Sequence, residues 1–160
     1  YNGEKTADIV VKSSKILKSI NCPSSLNSSA IDEFLLIFLV AATKTKGIST
    51  FKELGELNKK ESPRLNLAIK FLKMIGIKVE RNKNDIKIYG KPNIYLNRNY
   101  HIKNFLKDHR IFMMSCIAAL TLGGNWKIND RDSINTSFPK FLNILKNLGA
   151  DINWKKEKIS

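Results

Sequence analysis

The fold of this chain is decided by residues 31–47, IDEFLLIFLVAATKTKG, where a nearly continuous apolar run follows two acidic residues and ends at a glycine. The longest apolar part, residues 34–42, is about half of the ~18 residues that a membrane span requires. We therefore predict a buried helix over residues 31–45, with Gly47 as its C-cap, and no membrane anchor.

A second stretch, residues 108–123, has the same plan and reads DHRIFMMSCIAALTLG. Asp108 and Pro139 lie 76 positions after Asp32 and Pro63 (108 − 32 and 139 − 63). A constant offset between two pairs of residues indicates an internal repeat.

The repeat predicts two units, at approximately residues 31–90 and 108–160, each with the order helix, strand, helix, strand. Alternation of this kind favours a layered α/β (α+β) domain of βαβ type, with helices packed on small sheets. At 160 residues the chain is long enough for one domain with a hydrophobic core and too short for two of usual size.

Local signals predict the remaining elements. Residues 62–63, Ser-Pro, are typical of an N-cap and a first helical position, and Gly76 ends that helix. Residues 77–89 predict two strands with a polar turn at 82–85, and residues 7–19 predict a strand or hairpin. The shorter predicted elements are a strand at 49–54, a strand at 126–129 and a helix from 137 to 149.

The net charge of +14 comes mostly from lysine, because only five of the 28 basic residues are arginine. The lysines are spread along the chain, which disfavours a nucleic-acid interface. Cys22 and Cys116 are isolated, so we expect reduced, mostly buried thiols rather than a zinc site or a disulfide scaffold. The chain begins at Tyr1 without a charged and apolar leader, so we expect a mature chain or an excised piece in the cytoplasm.

Charged residues stand where three predicted helices begin, at 31–33 (Ile-Asp-Glu), 60–64 (Lys-Glu-Ser-Pro-Arg) and 108–110 (Asp-His-Arg). A helix N-terminus attracts anions, and an arginine in the first turn adds a bidentate clamp for carboxylate or phosphate. A purely structural role also fits, in which Asp32 and Asp108 are only N-caps. Helix physics leaves both interpretations open.

Four motifs occur in one order along the chain: IDE at 31–33, ELNKKESPRL at 56–65, DHRIFM at 108–113 and TSFP at 136–139. Together they resemble the motif set of the 5-enolpyruvylshikimate-3-phosphate synthases. Members of that family are longer, with two similar domains of three βαβαββ units each and the active site in the cleft between them. The resemblance implies that residues 1–160 are part of the C-terminal domain of an enolpyruvyl transferase, without the N-terminal domain.

The resemblance implies transfer of the enolpyruvyl group of phosphoenolpyruvate to the 5-hydroxyl of shikimate 3-phosphate, with release of phosphate and without a metal or organic cofactor. Asp32 matches the family's carboxylate beside the target hydroxyl, and Glu61 matches the acid/base for the methylene carbon. Lys60 matches a catalytic cation that both substrates share. The further substrate-binding residues implied are the phosphoenolpyruvate clamps Arg64 and Arg110 and their neighbour His109.

Three residues depart from the family pattern. Pro63 stands where Asp is common, so that a capping carboxylate is lost. Phe112 replaces a small residue and demands local repacking. Thr136 stands where some members have Lys, so that one phosphoenolpyruvate cation is absent or supplied elsewhere.

Two other functions fit parts of the sequence. A UDP-N-acetylglucosamine enolpyruvyl transferase shares the chemistry, although residues 60–62 and 137–139 argue against it. A non-catalytic basic module would bind nucleic acid, but no segment interleaves aromatic and basic residues. We predict that this chain alone binds its substrates weakly and does not turn over, because half a cleft cannot pre-organise two substrates.

Overall fold

The structure is a computed structural model that describes Gly3 and residues 6–154. Its α-helices are α1 (Asn27–Ala30), α2 (Phe34–Thr43), α3 (Arg64–Met74), α4 (His109–Leu122) and α5 (Phe141–Asn147), and short 3-10 helices occupy Ser24–Leu26, Leu54–Lys59 and Arg131–Ile134. Its strands are β1 (Leu17–Lys18), β2 (Asn21–Cys22), β3 (Thr45–Lys46), β4 (Ile48–Phe51), β5 (Val79–Asn82), β6 (Asp85–Tyr89), β7 (Asn99–Ile102) and β8 (Asn125–Ile128). Helices on three small sheets confirm the predicted α/β (α+β) class.

Helix α2 is buried over most of its length because apolar residues occupy nearly all of it. Phe34 and Phe38 are fully buried and meet Phe51 of β4, with ring centroids 4.9–5.9 Å apart in the three pairs. This aromatic contact fixes the helix against the sheet. The predicted buried helix is therefore confirmed, although it is shorter than residues 31–45.

The predicted C-cap of α2 is wrong. Lys44 ends the helix, and Gly47 lies between β3 and β4 with φ 103°. That left-handed conformation favours glycine, so the residue marks a strand turn rather than a helix end.

The largest sheet has the order β2-β4-β6-β5, in which β2 runs parallel to β4 and the other pairs are antiparallel. The β5–β6 hairpin confirms the two strands predicted in residues 77–89, with Asn82 paired to Asp85 at the turn. Ile86 and Ile88 alternate with exposed or partly exposed residues and face the core.

The second half contains the parallel pair β7–β8, against which α4 packs. Trp126 of β8 stacks on Tyr100 of β7 and on Phe71 of α3, with centroid distances of 4.6 and 6.0 Å. Helix α4 confirms the prediction of a helix that ends at Gly123. A Cβ at Gly123 would lie 2.9 Å from the carbonyl oxygen of Leu96, so the chain passes too close for a side chain.

Three further local predictions need correction. Residues 7–19 do not form a long strand: within the described part of the chain only Leu17–Lys18 pairs, with β3, and the apolar residues 9–11 are exposed. Ser62 does not cap α3, because Pro63 occupies the N-cap position and the Ser62 hydroxyl bonds elsewhere. The last described helix begins at Phe141 rather than at residue 137.

Helix, strand and helix follow one another twice, as α2, β4, α3 and as α4, β8, α5. The division into repeats at 31–90 and 108–160 stays a prediction, and its last six residues, 155–160, lie outside the described part of the chain. Within residues 6–154, no helix is both long enough and apolar enough to cross a membrane.

Candidate active site

The starts of three helices meet on one side of the fold. Helices α2, α3 and α4 pack against one another, which brings together the turn before α2, the first turn of α3 and the N-cap of α4. Arg64 consequently contacts Asp32 and Asp108, which lie 32 and 44 residues away in the sequence. We call this group the charged cluster; its members are Asp32, Glu33, Lys60, Glu61, Ser62, Arg64, Asp108 and Arg110.

Arg64 is the centre of the charged cluster, and its side chain is only 2% exposed. Its Nε lies 3.0 Å from Asp108 Oδ2, and its Nη1 lies 3.0 Å from Asp32 Oδ1. Its Nη2 lies 2.5 Å from Oε2 of Glu61, whose side chain is 70% exposed. A buried guanidinium requires such partners, and here each of its three nitrogens has a carboxylate.

The Asp108 carboxylate joins two helix starts. Its Oδ1 accepts hydrogen bonds from the backbone amides of Arg110 and Ile111, so Asp108 is the N-cap of α4. Its Oδ2 accepts from the Ser62 hydroxyl at 2.6 Å and from Arg64 Nε. Burial by itself raises the pKa of Asp108, but the bonds from Ser62, Ile111 and Arg64 together hold it below its ordinary value of 3.8.

Two more cations surround Asp32. Lys60 Nζ lies 3.8 Å from Asp32 Oδ1, and Arg110 Nη2 lies 3.8 Å from Asp32 Oδ2. Arg110 Nη1 also donates to the Asp32 carbonyl oxygen at 3.0 Å and contacts Glu33 Oε1 at 3.3 Å. Asp32 makes no side-chain cap for α2, so its carboxylate faces the cations instead.

The charged cluster brings five of the six predicted site residues together: Asp32, Lys60, Glu61, Arg64 and Arg110. The sixth, His109, is the first residue of α4 and is half-buried. The ion pairs among the described residues do not include His109. Its position beside Arg110 is therefore the structural support for its predicted role.

The formal charges of the charged cluster do not favour an anion as they stand. Three cations, Lys60, Arg64 and Arg110, face four carboxylates. A substrate with phosphate and carboxylate groups must compete with these carboxylates or receive further cations from elsewhere. The described residues contain no group of three His, Cys, Asp or Glu side chains that could hold a metal ion.

Three members of the charged cluster are not predicted site residues: Glu33, Ser62 and Asp108. Glu33 joins the cluster through Arg110, and the other two contact each other. Asp108 was interpreted only as an N-cap, and Ser62 as the cap of its own helix. Their contact joins residues 46 positions apart, and no local sequence signal indicates it. The capping preference of both residue types was the one available signal, and it gave the wrong partner for Ser62.

The three departures from the family pattern have local explanations. Pro63 occupies the N-cap position of α3 rather than the predicted first helical position, and it supplies no side-chain cap there. Phe112 is accommodated in a second apolar cluster, where it packs with Cys116, Ile134 and Phe141. Thr136 is exposed, outside the charged cluster.

Comparison with solved structures identifies the fold as that of the enolpyruvyl transferases. The enolpyruvyl transferase NikO from Streptomyces tendae superposes with a TM-score of 0.54 at 18% identity, over 76% of this chain and 26% of that chain, and this likeness concerns the fold alone. EPSP synthase from Acinetobacter baumannii superposes with a TM-score of 0.76 at 28% identity, over 88% of this chain and 32% of that chain.

Sequence comparison then defines the family. Residues 1–145 match the family model for EPSP synthase (3-phosphoshikimate 1-carboxyvinyltransferase). The 3-phosphoshikimate 1-carboxyvinyltransferase of Zymomonas mobilis is 38% identical over 151 residues, which cover 93% of this chain and 33% of the relative. The chain belongs to the EPSP synthase family, and it spans about a third of the length of the curated relatives it matches.

Proposed function

We propose that the charged cluster is part of a site that transfers the enolpyruvyl group of phosphoenolpyruvate to the 5-hydroxyl of shikimate 3-phosphate and releases inorganic phosphate. The observation that carries this proposal is the convergence of Asp32, Lys60, Glu61, Arg64 and Arg110 from three separate segments. Membership of the EPSP synthase family supplies the reaction.

The proposed reaction needs two groups that move protons. The 5-hydroxyl oxygen bonds to the substituted carbon of phosphoenolpyruvate, and Asp32 takes the hydroxyl proton while Glu61 gives a proton to the methylene carbon. The adduct then loses inorganic phosphate as the leaving group, while the Glu61 carboxylate takes back one proton of the new methyl group, which restores the double bond. Asp32 and Glu61 suit these roles because both are solvent-accessible, with side chains 39% and 70% exposed.

The cations of the charged cluster would bind the charged groups of the substrates. Lys60 and Arg110 are partly exposed, at 27% and 30%, so an anionic ligand can reach them directly. Arg64 is buried, and its Nη2 becomes available only when Glu61 leaves it. His109 would assist Arg110 from the adjacent position.

The charge balance supports the proposal that this chain alone is not competent. Phosphoenolpyruvate and shikimate 3-phosphate both carry negative charge, whereas the charged cluster has more carboxylates than cations. The proposed partner that completes the cleft is the N-terminal domain of the same polypeptide, since the chain spans a third of its relatives. The cytoplasm stays the expected compartment.

Titration of phosphoenolpyruvate into isotope-labelled chain, followed through the arginine side-chain resonances, tests the proposed site. We expect the resonances of Arg64 and Arg110 to shift in the millimolar range of ligand, and the resonance of the exposed Arg98 to stay unchanged. Shifts spread evenly over all arginines would indicate nonspecific charge pairing and would contradict the proposal.

Two measurements separate the remaining interpretations. Phosphate release by the chain at rates typical of an enzyme would contradict the proposed need for a partner domain. Tighter binding of a UDP-sugar than of shikimate 3-phosphate would favour the other enolpyruvyl transferase, and steep salt-dependent retention on single-stranded DNA would favour a nucleic-acid module. The family match favours enolpyruvyl transfer to shikimate 3-phosphate over both alternatives.

A further inference from the structure

One buried polar contact of the charged cluster, between Ser62 and Asp108, has no role in the proposed reaction. Ser62 is 4% exposed and the Asp108 side chain is fully buried, and the two are hydrogen-bonded at 2.6 Å. Neither side chain is accessible to a ligand. A buried hydroxyl and carboxylate require an explanation, because burying polar groups costs free energy unless their partners are specific.

The two oxygens of Asp108 have different partners. Oδ1 accepts the two backbone amides at the start of α4, which is all that an N-cap requires. Oδ2 faces α3 instead, where it accepts from Ser62 Oγ and from Arg64 Nε, 3.0 Å away. The capping role therefore explains one oxygen and leaves the other unexplained.

The second oxygen determines where the Arg64 guanidinium points. A guanidinium is planar, so a bond at Nε fixes the plane in which Nη1 and Nη2 lie. The Ser62 hydroxyl bonds the same carboxylate oxygen, and the Ser62 carbonyl oxygen accepts from the Arg64 amide at 2.8 Å. Ser62 thus holds the carboxylate from one side and the start of α3 from the other.

We propose that Ser62 and Asp108 are positioning residues, which fix the Arg64 guanidinium so that Nη1 and Nη2 face Asp32 and Glu61, the two proposed proton-transfer residues. This inference rests on the proposed function, because it assigns Arg64 a substrate anion. Neither residue touches the substrate. Their effect is to remove the rotational freedom that an arginine side chain loses when it binds an anion, and pre-organisation of this kind strengthens binding.

The Ser62→Ala variant of this 160-residue chain tests the inference. It removes one hydroxyl and leaves the Asp108 charge and the cap of α4 in place. The Ser115→Ala variant is a matched control, since Ser115 is also fully buried and its hydroxyl donates to a backbone carbonyl oxygen of α4, that of Ile111, at 2.8 Å. Three quantities are measured for each variant: hydrogen exchange of the Arg64 Nε–H, the dissociation constant of phosphoenolpyruvate and the thermal midpoint.

We expect Ser62→Ala to accelerate exchange of the Arg64 Nε–H and to weaken phosphoenolpyruvate binding about tenfold, the loss of one hydrogen bond to a charged group. The Ser115→Ala control should lower the thermal midpoint to a similar extent without changing either Arg64 exchange or affinity. A structural role alone would affect the thermal midpoint and not the other two quantities.

The outcomes separate this inference from the proposed function. Unchanged hydrogen exchange of the Arg64 Nε–H in Ser62→Ala overturns the positioning role, regardless of the affinity for phosphoenolpyruvate. Faster exchange with the affinity of the parent chain also overturns it, because the guanidinium would then not need to be fixed. If the parent chain does not bind phosphoenolpyruvate at all, the proposed site fails, and the exchange measurement still decides whether Ser62 holds Arg64.

Discussion

Two ion pairs in this molecule have the same length and very different surroundings. Arg64 Nε and Asp108 Oδ2 are 3.0 Å apart at the starts of α3 and α4, and Lys78 Nζ and Glu80 Oε1 are also 3.0 Å apart, beside and within β5. The side chains of the first pair are 2% and 0% exposed, whereas those of the second pair are 63% and 47% exposed. The distance between the charged atoms therefore does not determine how much each ion pair contributes to stability.

The surroundings decide what each pair contributes. Water screens the Lys78–Glu80 pair, although hydrogen bonds from Tyr89 and then Lys78 still lower the pKa of Glu80. The Arg64–Asp108 pair has lost its hydration and depends on the protein for every partner. We expect the buried pair to tolerate substitution poorly and the exposed pair to tolerate it well.

The largest expected effect belongs to Asp108→Asn. Asparagine keeps an oxygen that can cap α4 but places an amide opposite Arg64 Nε and removes the charge that compensates the guanidinium. We expect the free energy of unfolding to fall by about 3 kcal/mol, the order observed when one partner of a buried ion pair is removed. Urea unfolding of the variant and the parent chain measures this difference.

The Asp132→Asn variant is the matched control for this experiment. Asp132 pairs with Lys107 at 3.4 Å, and both side chains are exposed, at 46% and 68%. We expect a change of less than about 1 kcal/mol. Equal losses of unfolding free energy in Asp108→Asn and Asp132→Asn would contradict the conclusion that burial determines the contribution of an ion pair.

Acid should abolish the difference in the free energy of unfolding between the parent chain and the Asp108→Asn variant. The pKa of Asp108 lies below its ordinary value of 3.8 in the folded chain, so its contribution to stability is complete above that value. It is lost as the pH falls through the folded pKa. Urea unfolding of both proteins at a series of pH values measures the difference, and a gap that widens below 3.8 would reverse the assigned direction of the shift.

Arg110→Lys tests a contact of intermediate burial, since the Arg110 side chain is 30% exposed. Lysine keeps the charge and loses the planar fork, so we expect phosphoenolpyruvate binding by the chain to weaken by about 1–3 kcal/mol with little change in stability. The exposed Arg98 provides the control Arg98→Lys, which should change neither quantity. Unchanged affinity in Arg110→Lys would remove this residue from the site and leave it a surface partner of Glu33.

The smallest expected effect belongs to Glu80→Gln. Its side chain is exposed and its ion pair with Lys78 is screened by water, so we expect no measurable change in the thermal midpoint at neutral pH. A midpoint shift comparable to that of Asp108→Asn would show that burial does not separate the two pairs.

Much of the fold could be predicted because its signals are local. The helix that ends at Gly123 and the hairpin in residues 77–89 depend on apolar periodicity and turn chemistry within a few residues. The prediction for residues 7–19 failed because a strand needs a partner, and only Leu17–Lys18 finds one among the described residues. The prediction that Gly47 is the C-cap of α2 failed for a related reason, since glycine occurs both at helix ends and in turns between strands.

The candidate site could be predicted in part. The motifs that carry Asp32, Glu61 and Arg110 were identified from resemblance, and the fold brings them together through the packing of three helices. The link between Ser62 and Asp108 was missed, because it exists only after α3 and α4 have packed. A contact of this kind produces neither a periodic pattern nor a local change of composition in the sequence.

The Arg64–Asp108 contact also has a consequence for the kinetics of folding. It joins positions 44 residues apart and requires both helix starts to be dehydrated and in place. We expect a contact with these requirements to form after the rate-limiting step of folding. Such contacts leave the folding rate unchanged and slow unfolding. We therefore expect Asp108 to lengthen the lifetime of the folded chain rather than to accelerate its formation, so that the same carboxylate sets how long the helix starts stay assembled.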